Sequence, residues 1–122
     1  MICDASAPTY LLTHWARDRS RGPLIGLEKA VKMQTHDTAR LYGFEDRGLI
    51  APGLRADLNL IDFDNMHLPS PELVNDLPAN GQRFIQRAKG YHTTMVEGII
   101  TFQNGEETGA LPGKLIRGPQ RR

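Results

Sequence analysis

The sequence predicts an α+β chain, with helices in its first third and strands after them. Three observations lead there. Apolar residues recur at helical spacing as far as Gly43. From Asp46 onward, glycine and proline turn signals bracket short apolar runs. No βαβ unit repeats anywhere. A length of 122 residues suits one ordinary domain, and 39% hydrophobic with 24% charged residues is a globular composition.

The elements follow in order. TYLLTHWARDR (9–19) comes after Pro8, a good first-turn residue, and sets Leu11, Leu12 and Trp15 near one face. The breaker cluster RSRGP ends it. LEKAVKMQTHDTARLYG (27–43) carries Leu27, Ala30 and Val31 on one stripe. Thr35, His36 and Asp37 supply capping groups in its middle, which predicts two short helices meeting there, and Gly43 suits the position after the last turn. The period then changes. Asp46-Arg47-Gly48 and Pro52-Gly53 are turn signals around a short Leu49-Ile50 strand. DLNLIDF (57–63) places Leu58 and Leu60 on one face and Ile61 and Phe63 on the other, the pattern of a strand covered on both sides. Residues 65–90 are polar, with prolines at 69, 71 and 78, and read as a long excursion with one helical turn after Ser70. TTMVEGIITFQNGE (93–106) gives two strands around Glu97-Gly98, followed by the hairpin dipeptide Asn104-Gly105. The aromatic core candidates Trp15, Tyr42, Phe63 and Phe102 are widely spaced, so the core must be assembled from distant segments. A loop of about 25 residues counts against a self-contained domain.

Composition excludes several classes. Cys3 is the only cysteine, so no internal disulfide and no multi-cysteine zinc site can form. Nothing approaches the ~18 consecutive apolar residues of a membrane span, and the first residues lack the basic stretch of a signal peptide. The expected compartment is the cytoplasm, with no membrane partner. The whole chain has net charge +1, yet residues 114–122 carry four basic side chains and no acidic one. Without interleaved aromatics this basic end reads as a solvated terminus and not as a nucleic-acid site.

Catalytic motifs are sparse. The four histidines, His14, His36, His67 and His92, form no HxH, HxxxH or HxxE pair, the usual trace of a metal site. Cys3-Asp4 is the one thiol–carboxylate neighbour pair. His14 or His36 could serve such a thiol as base, but nothing demands it, and a buried cysteine with a capping aspartate is the favoured reading. Ser6 lies in no G-x-S-x-G context, and neither phosphate-binding glycine motif occurs.

One long stretch, TARLYGFEDRGLIAPGLRADLNLIDFD (38–64), resembles the C-terminal signature of the amidohydrolase superfamily: a helix end, a D-R-G turn, then a P-G turn leading to an A-D-L strand. CDASAPTYLLTHWARDR (3–19), QRAKGY (86–91) and GEETGALPGKLIRG (105–118) are similar to the N-acyl-D-amino-acid deacylase, or D-aminoacylase-like, branch. The resemblance implies a fragment of an α/β-barrel hydrolase. Residues 1–45 would be the end of a metal-dependent (β/α)8 barrel. Residues 46–118 would be the C-terminal strands of a small β-sandwich with a long insertion at 65–90, and 119–122 a basic tail. It implies hydrolysis of a non-peptide C–N bond, most closely N-acyl-D-amino-acid deacylation, by one or two zinc-like divalent ions in the complete enzyme. Those ions would lower the pKa of a bound water and polarise the scissile carbonyl. Their ligands would all lie outside these residues, with Met1 an internal methionine, so the chain alone would bind no cofactor and be inactive.

On the same resemblance, Ile2, Cys3, Asp4 and Ser6 would at most line the pocket rim. Gly48, Pro52, Gly53 and Asp57 would form the turn and the start of the strand, the Asp57 carboxylate accepting amides of the Pro52-Gly53 turn. The partner would be the barrel segment, in cis or as a separate chain, with a small N-acyl amino acid as substrate and self-association of the isolated piece. A second reading stays open: a non-catalytic structural or assembly module derived from such an enzyme.

Overall fold

The computed structural model describes residues 3–121, with side chains from Ser6 onward. Its first helix, α1, runs over Cys3–Tyr10 and continues as a π-wound segment, Leu11–Asp18. The sequence predicts a start near Thr9, yet Pro8 lies inside α1. A proline there removes one backbone donor without ending the helix, because the winding changes just beyond it. Leu12 and Thr13 are buried, whereas Trp15 stays 37% exposed.

Helices α2 (Leu27–Gln34) and α3 (His36–Leu41) meet at Thr35, where the sequence places the break. The cap itself differs. The Thr35 hydroxyl donates back to the Val31 carbonyl at 2.8 Å, and Asp37 accepts instead from Lys32 at 2.6 Å. Gly43 (φ +74°) ends α3: its amide donates to Arg40, and Phe44 reaches back to Ala39 at 2.8 Å. This paired closure is the Schellman arrangement that a left-handed glycine permits.

Residues 45–57 form turns and bends, and the expected Leu49-Ile50 strand is absent. Leu49 is 54% and Ile50 89% exposed, and among the described residues no strand pairs with them. Strands then build a four-stranded antiparallel sheet of order β1-β4-β5-β6, with β1 at Leu58–Ile61, β4 at Tyr91–Val96, β5 at Ile99–Gln103 and β6 at Glu106–Glu107. Glu97-Gly98 and Asn104-Gly105 make its two tight turns, all four residues at positive φ as the primed hairpin turns demand. β1 is covered unevenly. Ile61 and Phe63 pack against the core and Leu58 is half-buried, whereas Leu60 is 60% exposed.

The 65–90 excursion contains more order than its composition suggests. Strands β2 (Glu72–Leu77) and β3 (Gly81–Ile85) pair as an antiparallel ribbon, with Leu73 opposite Phe84. Its turn spans Pro78–Asn80 with Ala79 and Asn80 at positive φ, and no helical turn follows Ser70.

The core is small and lies between the first helix, α2 and the β1–β2 connection. Leu12, Ala30 and Met66 are buried together, with Leu11, Ala16, Ile25, Ile61, Phe63 and Tyr91 packed against them. Of the four aromatic candidates only Phe63 joins this cluster; Tyr42 is 65% exposed and Phe102 46%. Gly90 shows how tightly the centre is closed. At φ +99° it donates no side chain to the core but lets the backbone touch Met66, and its carbonyl accepts the Asp62 amide at 2.8 Å. Near the other end, Gln120 lies beside Phe44 in a parallel bridge: its amide donates to the Gly43 carbonyl at 3.0 Å and its carbonyl accepts the Glu45 amide at 2.8 Å, which holds the basic segment to residues 43–45.

Candidate functional site

Two constellations gather the residues that the sequence singles out. The first joins α1 to the QRAKGY segment. Ser6, half-buried, donates to the Gln86 side chain, whose amide in turn donates to the Pro69 carbonyl at 2.8 Å. One helical turn later the Thr9 hydroxyl meets the Tyr91 phenol at 2.7 Å. The i, i+3 spacing puts Ser6 and Thr9 on one helix face, and the extended 86–91 segment presents Gln86 and Tyr91 to it. Beside this seam lies an open groove of about 600 Å³ whose lining includes Thr9, Asn59, Gln86, Arg87, Lys89 and Tyr91. Ser6 is therefore tied into a structural hydrogen-bond chain. Ile2 lies outside the described residues, as do the side chains of Cys3 and Asp4.

The second constellation surrounds the start of β1. Arg55 Nε donates to both Asp57 oxygens at 2.8 Å, Arg47 reaches the same carboxylate at 3.4 Å, and the Glu97 amide donates to it at 3.0 Å. Arg55 also pairs with the Glu97 carboxylate at 2.7 Å, while Arg47 forks onto Asp46. The sequence leads one to expect Asp57 to hold the Pro52-Gly53 turn. Its partners instead lie on two arginines and on the β4–β5 turn, so the carboxylate ties the start of β1 to the far hairpin. The Arg47 guanidinium hydrogen-bonded to Asp46 holds that carboxyl below the usual aspartate range. Gly48 (φ +90°) packs on the α2–α3 junction, where a Cβ would fall 2.9 Å from Ala39 and 3.1 Å from the Thr35 carbonyl. Gly53 (φ +82°) supplies the left-handed residue of its turn.

The histidines are dispersed: His14 stacks on Tyr10, His36 sits beside Asp37, His67 beside Asn65 and His92 beside Asn104. Among the described residues no three histidine, cysteine, aspartate or glutamate side chains converge on a position that could hold a metal ion. They do not fit the divalent-ion centre implied by the resemblance.

Comparison with known proteins decides the lineage. The amidohydrolase family profile matches residues 1–102. The chain belongs to the amidohydrolase family. Among its relatives, a 5-methylthioadenosine/S-adenosylhomocysteine deaminase of Acetivibrio thermocellus is 37% identical over 84 residues, covering 68% of this chain and 19% of the relative. In Alcaligenes xylosoxydans xylosoxydans, an N-acyl-D-aspartate deacylase is 36% identical over 94 residues, 76% of this chain and 17% of its own length. A D-aminoacylase of the same organism is 33% identical over 106 residues, 87% of this chain and 19% of its own length. The chain thus spans about a fifth of the curated relatives it matches. No solved structure matches it. Amidohydrolases are typically metal-dependent. Among the described residues no helix is long and apolar enough to cross a membrane.

Several residues of both constellations escaped the sequence reading. Arg47 and Arg55 carry a faint signal, two arginines within ten residues of a strand-initial aspartate. Arg17, which clamps three carbonyls of the β1–β2 connection, carries none, because its partners are 46 to 49 residues away.

Proposed function

We propose that this chain is the C-terminal portion of a metal-dependent amidohydrolase that hydrolyses a non-peptide C–N bond, most closely that of an N-acyl-D-amino acid. The observation that carries the proposal is the family match over residues 1–102 in a chain that spans only about a fifth of its relatives. Deacylation is favoured over deamination because likeness to the D-aminoacylase extends over 106 residues, against 75 to 95 for the 5-methylthioadenosine/S-adenosylhomocysteine deaminases. On this reading residues 1–45 close the barrel, 46–118 supply sandwich strands, and the metal ligands and the reacting water belong to a barrel segment outside these residues. The exposed apolar side chains support it. Leu41 (80%), Ile50 (89%) and Leu60 (60%) lie open, and burying each would be worth about 1.5–3 kcal/mol. The partner is that barrel segment, in cis or as a separate chain, and the compartment is the cytoplasm.

The DNA upstream of the Met1 codon provides the test. We expect an in-frame continuation that encodes an HxH pair, and zinc-dependent release of the acyl group from N-acetyl-D-amino acids by the complete product. A ribosome-binding site directly before Met1 with no partner frame would favour a non-catalytic module. A complete product that deaminates 5-methylthioadenosine and spares N-acyl-D-amino acids would overturn the deacylase assignment while keeping the family.

A further inference from the structure

The first helix changes its winding where two distant segments touch it. At the end of the π-wound stretch the Arg19 amide donates to the His14 carbonyl, five residues back, at 2.8 Å. An α-helical turn would send that amide to Trp15. The Trp15 carbonyl, however, accepts the Ile25 amide at 2.9 Å, and the Ile25 side chain packs on the buried Leu12, Ala30 and Met66. From the same stretch Arg17 donates to the carbonyls of Phe63, Asp64 (3.1 Å) and Met66 (2.8 Å). Its guanidinium lies over the Phe63 ring at 5.6 Å and is held in plane by Asp18 at 2.7 and 2.9 Å.

Extended π winding is rare, and a disfavoured backbone state persists only where its surroundings over-determine it. The surroundings here do so twice. Rewinding residues 11–18 as α would bring the Arg19 amide onto the Trp15 carbonyl, in competition with Ile25. It would also swing Arg17 around the axis relative to Leu12, which is fixed in the core, and so away from the 63–66 carbonyls.

We propose that Leu11–Asp18 is a register latch. The Arg17 fork and the Ile25 amide impose the π winding. Losing the fork lets the segment rewind as α, closing Arg19 onto Trp15 and releasing the 19–26 loop from the helix. Because Ile25 and Met66 both belong to the core, helix winding and core closure are one event. This inference concerns the chain itself and does not depend on which C–N bond the complete enzyme cleaves.

Amide hydrogen exchange at single-residue resolution tests it, with the β4–β5 ladder as an internal control for folding. In the unaltered chain the Ile25 and Arg19 amides should both be protected. In Arg17→Ala, Ile25 should exchange at least about tenfold faster while Arg19 keeps its protection, because rewinding transfers Arg19 to a new acceptor whereas fraying would expose both amides. If Ile25 is unprotected at the outset, unchanged in the variant, or lost together with Arg19 while the ladder stays protected, the latch is refuted. Should Arg17→Ala also unprotect the ladder, Arg17→Lys is measured the same way. A lysine keeps the charge but not the fork, so it should show the same selective loss at Ile25, and its absence would refute the latch.

Discussion

Replacing Gly90 with alanine separates two costs that the fold imposes at one position. The residue sits at φ +99°, and a Cβ there would fall 2.7 Å from the Met66 Cα, 2.9 Å from its Cβ and 3.1 Å from the Asp62 carbonyl. Two of these neighbours are backbone atoms, and Met66 is fully buried, so no flexible side-chain end can move aside. A disfavoured backbone conformation costs about 1–3 kcal/mol. Forcing a methyl group into a closed core costs about 1–3 kcal/mol more. In a chain of this size each kcal/mol lowers Tm by about 4 °C, so the loss should be about 8 °C or more. Gly105→Ala is the matched control, because Gly105 has φ +86° with nothing within 4 Å of the added Cβ. It should show the backbone cost alone. Thermal melts of both variants, followed by circular dichroism at one protein concentration, provide the comparison. Equal losses would refute the reasoning, since the close approach to Met66 would then contribute nothing.

Four further outcomes follow from the same structure. Asp57→Ala leaves the Glu97 amide and two arginines without their carboxylate, which should cost about 1 kcal/mol or less in a urea titration because water reaches these partners. In the complete enzyme it should leave the turnover of folded molecules nearly intact; a hundredfold loss of turnover at normal stability would put Asp57 in the active site. Asp46, its pKa lowered by Arg47, contributes stability that is fully present above the ordinary aspartate value of about 3.9 and is lost as pH falls through the lowered folded value. The stability gap between the unaltered chain and Asp46→Asn should accordingly be open at pH 6 and close toward pH 3; a gap that widens in acid would reverse the sign. Zinc titrated into the chain should bind no better than dispersed histidines allow, with calorimetry showing no stoichiometric site; a one-to-one micromolar isotherm would contradict this. With Leu41, Ile50 and Leu60 open, the chain on its own should self-associate in analytical ultracentrifugation, whereas a monodisperse monomer with a sharp melt would argue for an independent module.

Much of the local structure was legible because its causes lie within a few residues. The glycine after α3, the Thr35 break and the two tight hairpin turns of the sheet each follow from residues that tolerate or demand one conformation. The β2–β3 ribbon was not legible: three prolines and a polar composition read as an excursion, and its turn puts Ala79 and Asn80 at positive φ, where an alanine gives no turn signal. Met66 gave no signal, since a lone methionine in a polar stretch shows no period. The motifs in 3–19 and 38–64 pointed to the amidohydrolases before any contact was known, because such motifs record lineage and not geometry.

By itself, then, the sequence determined the family, the order of helices before strands, and the turns. Tertiary structure alone decided how residues 11–18 wind, which apolar side chains are covered, and where the Asp57 carboxylate finds its partners. The physical reason is range. Arg17 meets its carbonyls across 46 to 49 residues of chain and Asp57 meets the Glu97 amide across 40. Local propensity carries no information about contacts so distant; packing around Met66 brings Arg17 to its carbonyls, and the β1–β4 ladder brings Asp57 to the Glu97 amide.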